Sequence, residues 1–82
     1  MNNDTAIDHS SILHLVRWVC DAHEVFVLDV RKEKNALSFM LQGKKGSRRC
    51  WATMEHLTVG GVGQISGKVT PALVGWCYAL SA

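Results

Sequence analysis

Charge runs out early in this chain. Lys68 is the only Lys, Arg, Asp or Glu between His56 and Ala82. A segment so poor in charge does not behave as a solvated tail; it belongs in a core or against another subunit. Cysteine is scarce as well, and Cys20, Cys50 and Cys77 form an odd, widely spaced set. That excludes a disulfide framework and reads as three reduced thiols in a cytoplasmic protein. Long apolar runs are missing too. The longest uncharged apolar stretch begins at Val69 and falls short of the roughly 20 residues of a spanning helix, so no membrane partner is expected. The opening MNNDTAIDHS has no basic segment leading into an apolar one, which excludes a secretory signal.

Complete catalytic and cofactor motifs are also lacking. In TVGGVGQISGK, residues 58–68, Gly67 and Lys68 fit the phosphate loop G-x-x-x-x-G-K-[ST]. Val62 stands where its first glycine belongs, and Val69 follows the lysine. The dinucleotide pattern fits Gly61 and Gly63, then meets Ser66, with too little chain left for a βαβ unit. Cys20 and His23 with Cys50 and His56 are the only zinc-like set, and the second pair is too widely spaced to make a tight ligand pair. As nucleophile and base, the same residues lack a third group to orient the histidine. Each cysteine lies next to or two residues from Trp18, Trp51 or Trp76, as in a core of large and small apolar side chains, where a thiol is inert. No catalytic residue, metal or cofactor is expected.

What is present suffices for one small domain over residues 1–82, with 1–6 as a loose end. The chain has 82 residues and is 48% hydrophobic, and a domain of this size buries roughly 60% of its unfolded surface. Thr5 and Asp8 have capping-box spacing ahead of a helix from about Asp8 to Ala22. Ile12, Leu15, Val16 and Val19 form its stripe, His14, Arg17 and Asp21 its polar side, and Trp18 is expected to close over the sheet. From Glu24 the period becomes two. Phe26, Leu28 and Val30 face one way and Val25, Val27, Asp29 and Arg31 the other, which suggests a central strand. Leu37, Phe39 and Leu41 alternate with Ser38, Met40 and Gln42. After the turn GKKG, Arg49, Trp51 and Thr53 alternate with Arg48, Cys50, Ala52 and Met54. Residues 58–68 read as a flexible loop or a pair of short glycine-broken strands.

The fold class is therefore α+β: an N-terminal helix on a three-stranded antiparallel meander, a glycine-rich loop and an apolar C-terminal helix. Thr70 as cap and Pro71 in the first turn favour that helix, with Leu73, Trp76, Cys77 and Leu80 as its buried stripe. The alternative is a C-terminal strand, favoured by the alternation of Val74, Trp76, Tyr78 and Leu80, giving a four- to five-stranded sheet or small barrel. The α-β-β-β-α order resembles that of double-stranded-RNA-binding domains. The likeness is in element order alone: that family's basic cluster opens its last helix, whereas here only Lys68 lies near that helix.

Charge that is scarce in one place is concentrated in another. Residues 1–42 carry four basic and six acidic side chains, and residues 43–82 carry five basic and one acidic. Lys44, Lys45, Arg48 and Arg49 crowd one turn, and Trp51 follows. Cations on a hairpin tip suit a nucleic-acid groove or an acidic protein surface, and a neighbouring Trp can stack on an exposed base. The plainer role for such a tip is to stay solvated and block edge pairing. The sequence thus points to a small non-enzymatic binding module, with nucleic-acid or anion binding at Lys44, Lys45, Arg48, Arg49 and Trp51. The alternative is a homo-oligomeric protein-interaction or regulatory module that uses Trp76, Tyr78 and Leu80 as anchors.

Overall fold

The structure is a computed structural model that describes residues 8–60 and 65–81. The loose end at 1–6, the Thr5 half of the capping box and the middle of the glycine segment lie outside them. Helix α1 spans His9–Ala22. Asp8 caps it, its carboxylate accepting from the Ser11 N–H at 3.2 Å and the Ser11 hydroxyl at 2.7 Å, which satisfies an orphan donor of the first turn. The other end closes through Glu24, which has φ +59°. The Glu24 N–H reaches the Asp21 carbonyl at 3.2 Å and the Val25 N–H reaches the Cys20 carbonyl at 3.0 Å. This is a Schellman closure with glutamate in the left-handed position that glycine occupies at lowest cost.

Five strands follow in a pure meander, ordered β1-β2-β3-β4-β5. They are β1 Phe26–Lys32, β2 Leu37–Gly43, β3 Gly46–Ala52, β4 His56–Val59 and β5 Ile65–Lys68, and helix α2 spans Val69–Ser81. The glycine segment thus contributes two short strands, so the sheet reaches five while the C-terminal element stays helical. Thr70 lies inside the helix rather than capping it, and the Val69 N–H is held by the Glu55 carbonyl at 3.0 Å.

Both helices cover the same face of the sheet. Ile12, Val16, Val19 and Cys20 of α1, with Val69, Leu73, Cys77 and Leu80 of α2, bury against Leu37, Phe39, Leu41, Cys50, Ala52, Leu57 and Val59. Leu15 is half-buried beside them. Trp18 does not close over the sheet: it is 70% exposed, because it points away from the stripe that meets the strands. The Cys20 and Cys77 sulfurs touch at 3.7 Å inside this core. Burial pushes the Cys50 thiol up to about 12. The contact with Cys77 and burial together raise Cys20 far above the ordinary thiol range.

Among the described residues no helix covers the other face of the sheet, and β1 sits at the sheet's edge rather than its centre. Its side chains also divide differently from simple alternation. Val27 pairs with Leu41 and Leu28 with Met40, but Arg31 pairs with Ser38, so one extra residue enters β1 between Leu28 and Arg31. Asp29, at φ +51°, lies within that bulge. An extra residue inverts the facing of everything beyond it. Phe26 and Leu28 therefore stand on the open face, while Val30 joins Val27 against the core.

Candidate binding face and hairpin tip

The β2–β3 hairpin is held at its tip by the helical layer. Gly43 pairs with Gly46 across Lys44 and Lys45, and Gly46 carries the turn's positive φ of 131°. The Lys45 N–H donates to the Leu80 carbonyl at 2.8 Å, an acceptor that the end of α2 would otherwise leave unpaired. Gly43 lies so close beneath Leu80 that no side chain fits between them. β1 flanks β2 as far as Phe26 opposite Gln42. The tip is therefore a corner of the domain, not a free-standing finger. Its two lysines are exposed. The last turn of α2 has no basic residue of its own, so they also place positive charge near its carbonyl end.

The four clustered cations do not form one patch. Alternation in β3 sends Arg48 to the helical side, where its guanidinium lies 5.5 Å from the centre of the Trp76 ring and donates to the Ser47 carbonyl at 3.0 Å. Arg49 and Trp51 go to the open face. Arg49 forms an ion pair with the Asp29 carboxylate. It also donates to the Asp29 carbonyl at 3.2 Å and to Ser38 Oγ at 3.1 Å. It thereby supplies a partner for Ser38, a polar side chain that is 2% exposed. Asp29 also accepts from Arg31 Nε at 3.3 Å and Nη2 at 3.0 Å. Arg49 is thus the clamp of the β1 bulge. Lys44 and Lys45 have no ion-pair partner among the described residues.

Arg49 and then Arg31 hold the Asp29 carboxyl below the usual carboxylate range. A depressed folded-state value means that this contribution to stability is present above the ordinary carboxylate pKa and is lost as pH falls through the folded value. The urea midpoint is therefore expected to fall on acidification below about pH 4. Asp29→Asn should flatten that fall; an equally steep decline in the variant would place the acid sensitivity elsewhere.

Trp51 is half-buried, flanked by Ser38 on one side and Thr58 on the other. Its ring crosses Gly60, where a Cβ would come within 2.9 Å of it. Phe26, which sequence reasoning did not single out, is 68% exposed on the same face. It opens onto a cleft of about 520 Å³ lined by Glu24, Phe26, Gln42, Gly43 and Lys44. The available signal was the polar side of β2: Ser38, Met40 and Gln42 mark an open face, and whatever pairs beside them stands on it.

Of the C-terminal anchors, Leu80 is buried in the domain's own core, Trp76 is half-buried and Tyr78 is exposed. Tyr78 meets the His23 ring edge-on at 4.8 Å. Near them Trp18, Val19, Ala22, His23, Thr70 and Val74 line a shallow depression of about 300 Å³ between the helices. Among the described residues, no three His, Cys, Asp or Glu side chains are placed to share a metal ion. No helix among them is long and apolar enough to cross a membrane. No protein-family model matches the chain, and no curated protein or solved structure matches it.

Proposed function

We propose that this protein is a small, non-enzymatic nucleic-acid-binding module of the cytoplasm that works through the open face of its sheet and the adjoining hairpin corner. The observation that carries this reading is the distribution of charge and aromatics about one uncovered surface. Arg31, Arg49 and Lys68 belong to that face by strand register and Lys44 and Lys45 to its corner. Asp29 engages both arginines and Glu55 lies beside Lys68, so Lys44 and Lys45 are the cations left for phosphate, with Glu24 beside them. Phe26 and Trp51 stand among them. Cations positioned for phosphate together with aromatic rings for bases are the two elements that nucleic-acid binding by stacking requires.

The test is fluorescence anisotropy of labelled DNA and RNA over a salt series. The logarithm of the association constant is expected to fall against log salt with a slope of about −2 to −4. Lys44→Ala/Lys45→Ala should remove about 1.4 to 1.8 units of that slope, since each phosphate contact contributes roughly 0.7 on a single strand and 0.9 on B-form duplex. Arg49 is left intact because it holds the bulge. Absence of binding at low salt, or an unchanged slope in the double variant, refutes the reading.

A second reading is self-association through the outer surface of the two helices, favoured by the exposure of Trp18 and Tyr78 at 70% and 62%. Sedimentation equilibrium would then show a dimer insensitive to salt and dissociated by Trp18→Ser/Tyr78→Ser. A monomer at all concentrations rejects it.

A further inference from the structure

The cleft beside β1 is built differently from the rest of the open face. One wall is Phe26, an aromatic ring whose exposure has no use in packing this domain. Another is Lys44, a cation without an ion-pair partner among the described residues. Gln42 and Glu24 complete the polar lining. Its volume of about 520 Å³ falls within the range of small-molecule sites. Glu24 also holds a left-handed φ of +59°, where glycine would be cheaper.

Resting on the nucleic-acid reading above, we propose that this cleft receives one unstacked base of a single strand. The base lies against Phe26, its edge meets Gln42 and Glu24, and the adjoining phosphate meets Lys44. Single strands are favoured over duplex on two grounds. A paired base cannot offer its face to a ring. The hairpin corner, held beneath Leu80, cannot enter a groove as a ribbon. An ionised Glu24 accepts hydrogen bonds and donates none. It therefore selects bases that carry an exocyclic amino group, cytosine above thymine or uracil.

The experiment measures anisotropy with labelled octamers of deoxycytidine and of deoxythymidine, and with a short mixed-sequence duplex, at low salt. The deoxycytidine octamer is expected to bind about tenfold more tightly than the deoxythymidine octamer, and both more tightly than the duplex. Phe26→Ala, at an exposed position, should weaken single-strand binding about five- to 150-fold. Glu24→Gly should erase the preference for cytosine while leaving the thermal midpoint equal or higher, since it relieves the left-handed strain. Equal binding of the two octamers, or wild-type affinity in Phe26→Ala, overturns the assignment of the cleft. Duplex binding without single-strand binding overturns it too, while leaving the broader reading in place. Failure of every probe to bind overturns the cleft assignment, and failure of the matching RNA probes as well refutes both.

Discussion

Gly43→Ala is expected to cost about 3 kcal/mol of unfolding free energy, read from urea denaturation. A methyl group there would sit 2.4 Å from the Leu80 carbonyl oxygen and 2.8 Å from its carbonyl carbon and Cβ. Most of these neighbours are backbone, so no rotamer change makes room. Either α2 lifts from the hairpin or the hairpin bends away. Both movements lengthen the 2.8 Å bond from the Lys45 N–H to Leu80 and open the apolar contacts of Cys77 and Leu80. The control is the same methyl group at Gly75, where a Cβ meets nothing within 4 Å. In mid-helix that change should stabilise by about 1 kcal/mol. The two alanines are thus expected to act with opposite signs, and equal effects would show that α2 does not rest on the hairpin as described.

Phe39→Ala is expected to be at least as damaging, at about 3–5 kcal/mol. Phe39 is the largest of the fully buried side chains. It projects from β2 into the layer between sheet and helices, where its ring fills space that several neighbours share. Truncation loses its transfer free energy and leaves a cavity that seven-residue strands, paired on both sides, cannot collapse to fill. Domains are stable by only about 0.05–0.15 kcal/mol per residue, so the variant should be substantially unfolded at 37 °C by circular dichroism. A cooperative transition near the wild-type midpoint would mean that Phe39 is not the centre of the core.

Much of this architecture is legible in the sequence because burial and periodicity agree. Leu37, Phe39 and Leu41 alternate without exception, and they are the buried face of β2. Ile12, Val16 and Val19 repeat at helical spacing, and they are the buried stripe of α1. Where periodicity failed, a local event interrupted it. An aspartate in the left-handed region at position 29 carries no sequence signal comparable to glycine, yet it inserts the residue that places Val30 opposite to Phe26 and Leu28. The edge position of β1 was hidden for the same reason, since VFVL is apolar on both faces and reads as fully buried. The segment around Gly60 and Gly67 reads either as a loop or as a pair of short glycine-broken strands because glycine weakens strand propensity, and the structure takes the second form, with Leu57 and Val59 supplying burial for β4.

The candidate binding surface was less legible than the fold. Adjacent letters in SRRC place Arg48 and Arg49 on opposite faces, so a cluster in sequence becomes an aromatic contact on one side and an ion-pair clamp on the other. Phe26 and Lys44 are far apart in the chain and meet only because β1 pairs with β2 in the bulged register.

The sequential strand order bears on how the domain assembles. Every strand pairs with its immediate predecessor, so the sheet can grow by successive hairpins, each closing a short loop at little entropic cost. The contact between α1 and α2, where Cys20 meets Cys77, joins the most distant elements and closes the longest loop. A sheet with one open face gains its hydrophobic seal only at that closure. The open face is complete only when β4 and β5 have joined the first three strands, and its hairpin corner is fixed when α2 docks and the Leu80 carbonyl accepts from the Lys45 N–H.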